Sequence, residues 1–324
     1  MMLDRMMSDK PQMTAIVRSD DGRLSALQVA RPVPGPTEVL FRSAAAGVNA
    51  IDWKIRATGD IFGTFDPDLP MVLGWDVAGE VVEVGPGVTR FAVGDRVFGM
   101  PRFPRPAEAY AEYVVAGSRE VAHTPQALSD VEAAALPLAV LTAWQSVVDT
   151  LRVGQGDRVL VHAASGGVGH LAVQLAKARG AEVWATASAR NHDALRDLGV
   201  DHVIDHRTEL FEEVAVDMDG VLDLVGGAEH AERSVRSLRR GGRLVVVPSP
   251  DDIPSRDVLD EAGVSATWIL VEPDYAALEA VAQMIGSGTL RVVVGDTRPL
   301  ERLAELHEIG ATGGPLGKLV ATIG

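Results

Sequence analysis

In the first third of the chain apolar residues recur at strand-like spacing; from Ser129 onward the spacing becomes helical. Asp76–Val84 alternates apolar and polar residues, as a half-buried strand does, and Met13–Arg18 and Val39–Ala46 also read as strands. The proline-rich piece Arg31-Pro32-Val33-Pro34-Gly35-Pro36 lies between them and cannot join a sheet ladder. Beyond Val84 come Gly85-Pro86-Gly87 and Gly94–Gly99, and then a strand-like run at Tyr110–Val115. Short strands with glycine turns predict a compact, mostly β domain of about 120 residues. At Ser129-Asp130-Val131-Glu132 a capping residue and an acidic first turn open a helix, which Pro137 should break or kink.

A different pattern begins at Asp157. Val159-Leu160-Val161-His162-Ala163 suits a buried parallel strand, and Ser165-Gly166-Gly167-Val168-Gly169 leaves room only for a tight turn. Leu171, Val173, Leu175 and Ala176 then recur at helical spacing up to Gly180. Strand, glycine turn and helix form the opening of a dinucleotide-binding unit, because glycines let backbone approach a pyrophosphate and a helix N-terminus offers it unpaired N–H groups. The first glycine of the usual motif is replaced by Ala164, so on the glycines alone an ordinary strand-to-helix turn stays open. A second strand, Ala181–Thr186, completes the βαβ unit. Beyond it an NAD-specific site wants an acid for the ribose hydroxyls. This chain has Ala187-Ser188-Ala189-Arg190-Asn191-His192 there, which fits a 2′-phosphate, so the expected cofactor is NADP(H). Further strands are expected at His202–Ile204, Gly220–Val225, Arg243–Val247, Ser265–Val271, Leu290–Val294 and Leu319–Ile323. Helices are expected at His192–Leu198, Glu229–Leu238, Tyr275–Ile285 and Leu300–Ile309.

Composition narrows the function classes. A chain of 324 residues, 47% hydrophobic and 23% charged, has the balance of a two-domain globular enzyme. Its net charge of −15 repels phosphate backbones, so nucleic acid is not an expected partner. There is no cysteine, which excludes disulfides, thiolate catalysis and cysteine-ligated zinc. Residues 1–12 are charged and lack an apolar core; they read as a flexible leader, not a signal peptide. The longest apolar stretch, Ala133–Trp144, is too short for a membrane span, and a cytoplasmic location is expected. His202 and His206 are the nearest approach to a histidine pair and read as flanking a strand near the cofactor, not as metal ligands.

The chain after Met13 resembles the medium-chain dehydrogenase/reductase superfamily, specifically its zinc-free quinone oxidoreductase branch. The markers are Gly47-Val48-Asn49-Ala50-Ile51-Asp52, Leu73-Gly74-Trp75-Asp76-Val77-Ala78-Gly79, Val84-Gly85, Gly94-Asp95-Arg96-Val97, Leu141-Thr142-Ala143-Trp144, the glycine turn and Gly317-Lys318. The resemblance implies an α/β chain with a GroES-like mostly-β domain (13–130, completed by 288–324) and a Rossmann domain with a doubly wound parallel sheet (131–287). It also implies an interdomain cleft and a homodimer or homotetramer. Zinc-dependent relatives carry Gly-His-Glu where this chain has Gly74-Trp75-Asp76, so an indole replaces a ligand imidazole, and no metal site is expected.

Without an ion, hydride must go to an acceptor that is already activated, such as a quinone or an α,β-unsaturated carbonyl. By resemblance, Asn49 offers its amide to substrate or nicotinamide, or only shapes a turn. Lys54 steadies an enolate or quinol oxygen, or is a surface lysine. Thr142 places its hydroxyl by the nicotinamide, or only packs. Ser165, Gly166, Gly167, Val168 and Gly169 are expected at the pyrophosphate, and Ser188 and Arg190 at the 2′-phosphate, with Arg207 an alternative. His206 is expected by the adenosine. Val225, Gly226, Val247 and Pro248 fall at the sheet's carboxyl edge, and Lys318 near the phosphates or on the surface. Asp52 reads as a structural acceptor, and Trp75 as cleft wall or core. A competing function is an NADPH-binding scaffold or regulatory protein that has lost catalysis.

Overall fold

The computed structural model describes residues 11–324. Most of the expected leader, residues 1–10, lies outside the described residues, and Gln12 already belongs to the first strand. The strands up to Leu138 are β1 (Gln12–Arg18), β2 (Leu24–Ala30), β3 (Glu38–Val48), β4 (Met71–Val72), β5 (Asp76–Val84), β6 (Arg96–Gly99), β7 (Tyr113–Gly117) and β8 (Val121–His123). After them come β9 (Arg158–Val161), β10 (Glu182–Ala187), β11 (His202–Asp205), β12 (Met218–Asp223), β13 (Leu238–Val246), β14 (Ser265–Trp268), β15 (Val294–Pro299) and β16 (Lys318–Thr322). The α-helices are α1 (Ala50–Thr58), α2 (Asp130–Ala134), α3 (Pro137–Trp144), α4 (Gly169–Ala178) and α5 (His192–Asp197), then α6 (Phe211–Val214), α7 (Ala228–Ser237), α8 (Arg256–Ala262), α9 (Tyr275–Gly286) and α10 (Leu303–Ala311).

Two compact units divide the chain. The first runs up to Leu138 and takes back Glu272–Gly286 and Val294–Gly324; the second holds Ala139–Val271 and Ser287–Val293. The division therefore falls at Leu138 rather than at residue 130. Helix α9, expected in the nucleotide domain, belongs to the first unit, where Arg90 bonds Glu279 at 2.6 Å and Arg119 bonds Tyr275 at 2.8 Å.

In the first unit, seven strands form a sheet in the order β15-β16-β3-β5-β6-β8, with β7 also on β3; a smaller sheet runs β2-β1-β4. Alternation puts Val39, Phe41, Val77, Val81, Val97 and Val114 into one apolar core. The expected strand at Tyr110–Val115 is split. Tyr110 and Ala111 pair with the β1 side, through the Ile16 N–H on Tyr110 O at 2.8 Å, and the β3 ladder begins at Tyr113. Ser129 caps α2 with a reciprocal Glu132 bond, and Pro137 opens α3, where its missing N–H costs nothing.

The second unit is a six-stranded parallel sheet, β11-β10-β9-β12-β13-β14. Leu160, Val221, Leu244 and Val246 bury their apolar faces with Phe211 and Val235. Arg291–Val293 does not extend the ladder as its β-branched run suggested. The Arg291 N–H donates to Gln174 Oε1 (2.9 Å) and the Val293 N–H to His170 Nε2 (3.2 Å), so α4 side chains take the bonds a neighbouring strand would have taken. No helix among the described residues is long and apolar enough to cross a membrane.

Candidate functional site

Because every strand of the second unit's sheet runs the same way, the residues that follow them gather at one edge. The central strand β9 ends at Val161, and the chain turns through residues 162–168 into α4. A Cβ at Gly169 would lie 2.5 Å from Ala163 O and 2.6 Å from Ala164 Cα, so only glycine lets the helix start this close to the strand. In the first turn of α4 the His170 N–H donates to Gly166 O (3.1 Å) and the Leu171 N–H to Val168 O (3.1 Å), and the cap position, Val168, supplies no side-chain bond. Such a close-approached helix start, with no side chain over its cap, fits a pyrophosphate. His170 Nε2 accepts from Val293, so its Nδ1–H donates to Gly166 O (3.0 Å) and ties down the turn.

Ser188 and Arg190 follow β10, His206 follows β11, Val225 and Gly226 follow β12, and Val247 and Pro248 follow β13. The fold thus brings together every cofactor-site residue expected in this unit, including Ser165, Gly166 and Gly167 of the turn. Ser188 is half-buried; Arg190 and His206 are exposed, and Arg207 donates its N–H to Asp205 Oδ1 (3.0 Å). His202 sits at the opposite strand end, stacked on Trp184 at 4.3 Å and bonded to Glu182 (2.8 Å), so it does not belong to this edge. Thr142 is buried in α3, and its carbonyl accepts from Ser146 Oγ (2.7 Å).

Sequence reasoning missed the polar groups beneath this edge. Asp223 ends β12 with a fully buried side chain. Its Oδ1 accepts from the N–H groups of Val225 (2.8 Å) and Gly226 (3.1 Å), and its Oδ2 faces His230 Nδ1 at 3.3 Å. Burial alone would raise its pKa, yet the His230 and Gly226 bonds hold it below the usual carboxylate value. His162 is buried beside it. Ser234 Oγ donates to His230 O (2.9 Å), so it accepts from His162 Nε2–H (3.2 Å). Thr186 Oγ1 takes the Ala163 N–H (3.2 Å) and donates to His162 Nδ1 (3.2 Å). The imidazole is held neutral, its pKa pushed down to about 3 by burial and then by His230. The Asp inside the apolar run Val221–Val225 was the one available signal.

The first unit has its own buried polar cluster, set by strand register. β16 pairs antiparallel with β3 (Leu319 opposite Val48), so Lys318 comes beside Asn49; β3 pairs with β5, so Asp76 stands opposite Gly47. Asn49 Nδ2 donates to Asp76 Oδ2 (2.9 Å), while Lys318 Nζ donates to Asn49 Oδ1 and lies 3.3 Å from Asp76 Oδ2. The Leu138 N–H takes Asp76 Oδ1 at 2.6 Å. Asp52 accepts from the Asn49 N–H (2.7 Å) at the start of α1, as a structural acceptor should. Burial, the largest cause, pushes its pKa to about 7 even though the Asn49 N–H opposes it, and the Asp76 charge adds to the rise. Tyr110 is buried against the same carboxylates, which with burial hold its hydroxyl protonated.

Three of the open alternatives are narrowed here. Lys318 is only 3% exposed and bonded inside the cluster, so it is no surface lysine, and its ammonium is not free for a phosphate. Asn49 bonds to Asp76 and Lys318 through its amide and also forms a capping box with Asp52 at the start of α1. Trp75 is core: fully buried, its indole N–H on Arg105 O at 2.8 Å, its ring edge-on to Phe103 at 5.3 Å. Lys54 is exposed on α1.

Comparison with known proteins gives a consistent family. Residues 35–126 match the alcohol dehydrogenase GroES-like domain and residues 198–320 the zinc-binding dehydrogenase domain. A chloroplastic quinone-oxidoreductase homolog from Spinacia oleracea is 43% identical, over 92% of this chain and 93% of its own. The structure of the quinone oxidoreductase from Coxiella burnetii superposes with a TM-score of 0.88 at 34% identity, covering 97% of this chain and 100% of that one. Polyketide synthase GfsB from Streptomyces halstedii is 39% identical over 80% of this chain, which spans only 5% of that protein's length.

Proposed function

Since the chain belongs to the quinone oxidoreductase branch of the medium-chain dehydrogenase/reductase superfamily, we propose that it is an NADPH-dependent reductase of quinones or α,β-unsaturated carbonyls that works without a metal ion. The observation that carries this reading is the glycine turn at the carboxyl edge of β9, with Ser188 and Arg190, and no acid, directly after the neighbouring β10. Gly166, Gly167, Val168 and Gly169 hold the pyrophosphate with Ser165. Ser188 and Arg190 hold the 2′-phosphate, and His206 stands on the adenosine side. Val225, Gly226, Val247 and Pro248 line the edge, the first two set by Asp223. When bound, the nicotinamide supplies the hydride.

In the first unit, Asn49 donates an N–H to the acceptor's oxygen as that atom gains charge. Lys54 adds an outer cation, and Thr142 in the second unit places the nicotinamide amide or ribose. Lewis-acid chemistry is disfavoured by residue type: the chain has no cysteine, and Trp75 is committed to the core. We also read the chain as a homo-oligomer in which β14, the last strand of its sheet, pairs with that of a second copy. Sedimentation as a monomer at micromolar concentration would remove that reading.

Two assays test the proposal. NADPH oxidation against a panel of quinones, alkenals and cyclic enones should show turnover, and inertness toward all of them would leave the scaffold reading. Arg190→Ala should raise KM for NADPH by about ten-fold or more, as loss of a charge-assisted phosphate contact does, and leave KM for NADH nearly unchanged. An equal effect on both cofactors removes the phosphate assignment.

A further inference from the structure

We propose that Asp76 and Lys318 are positioning residues that lock the Asn49 amide in one orientation, making it a one-sided hydrogen-bond donor. The inference rests on the reading of Asn49 as donor to the acceptor's oxygen. Asn49, Asp76 and Lys318 are all buried. The amide oxygen of Asn49 is taken by the Lys318 ammonium, and one amide hydrogen by Asp76 Oδ2 at 2.9 Å. Asp76 cannot swing away, because its other oxygen is held by the Leu138 backbone N–H at 2.6 Å.

A flipped amide would set its carbonyl against the Asp76 carboxylate and its NH2 against the ammonium, two repulsive contacts in a buried site. Only the second amide hydrogen is left for an outside group. Asn49 then serves an oxygen that accumulates negative charge, such as that of a quinone or an enone, and offers nothing to a substrate hydroxyl that must donate. Lys318 thereby acquires a task at Asn49, 269 residues away in sequence, and is freed from any contact with the cofactor phosphates.

The test uses the full chain, NADPH and 1,4-naphthoquinone. The neutral pair Asp76→Asn/Lys318→Gln strands no charge, and Lys318→Gln alone runs beside it so that misfolding of the pair leaves the same comparison. Thermal melts establish that each variant is folded. Turnover should fall by about ten-fold or more, while NADPH affinity, read from fluorescence titration, stays within about two-fold. Retained turnover overturns the proposal. So does weakened NADPH binding with turnover intact, which would return Lys318 to the phosphates. In an Asn49→Ala background the paired change should cost no further turnover, because residues acting through one amide are non-additive; an independent further loss overturns positioning. If Asn49→Ala alone leaves turnover unaltered, the donor reading itself fails, and that result is distinct from the others.

Discussion

The two units bury polar groups in opposite ways. In the first, two carboxylates and one ammonium converge from two strands and a helix start, so the cluster is held by charge. In the second, His162 is kept neutral by burial and is bonded to two hydroxyls, and Asp223 spends its charge on a turn N–H pair and His230. Burial raises the pKa of both acids beside the one ammonium, that of Asp52 to about 7, and Lys318 opposes the rise at Asp76, whereas burial keeps the imidazole beneath the glycine turn neutral. A charged cluster withstands removal of a partner poorly, while a network of neutral hydrogen bonds loses one bond at a time.

Removing Asp76 should therefore have the largest effect. Asp76→Ala leaves a buried ammonium uncompensated and should cost about 3–5 kcal/mol in urea unfolding; a loss below about 1 kcal/mol would mean water reaches Lys318. Asp52 comes next and has a pH signature. Its pKa rises from 3.8 unfolded to about 7 folded, so its stabilising contribution is complete below about pH 4 and is lost as pH climbs through 7. Asp52→Asn should flatten that alkaline decline, recovering at most about 4 kcal/mol above pH 7. Melting curves with equal slopes for both proteins between pH 5 and 8 would contradict it.

His162 has the reverse slope. Its folded pKa of about 3 lies below the unfolded 6.5, so its contribution is present above pH 6.5 and lost as pH falls toward 3. His307, buried in the first unit at about 3, shares that sign, so acid sensitivity belongs to both units, and alkaline sensitivity to the first, where burial raises the pKa of Asp52, Asp76 and Glu108. The smallest change expected is Ser234→Ala, which removes the acceptor of His162 Nε2–H and should cost about 1–3 kcal/mol. Full stability in this variant would show that the imidazole has turned to another partner.

Local pattern made the glycine turn, the strand ends of the parallel sheet and the capped helix at Ser129 legible, since side-chain period and turn chemistry act within a few residues. It failed at Leu290–Val294, where α4 side chains took the backbone bonds, and at Tyr110, which joined β1 instead of the next strand. Lys318 was legible as a notable lysine but not as a partner of Asn49, and Asp223 was hidden inside an apolar run.

By itself the chain determined two domains of different period, a glycine turn on a βαβ unit, a β10 end followed by Ser188 and Arg190 with no acid, and the absence of thiol ligands. Only the tertiary structure decided that Lys318, Asn49 and Asp76 meet, that Trp75 is core and that Asp52 and His162 carry displaced pKa values. Strand register joins residues hundreds of positions apart, and burial sets the cost of charge; neither is written in any short stretch of sequence.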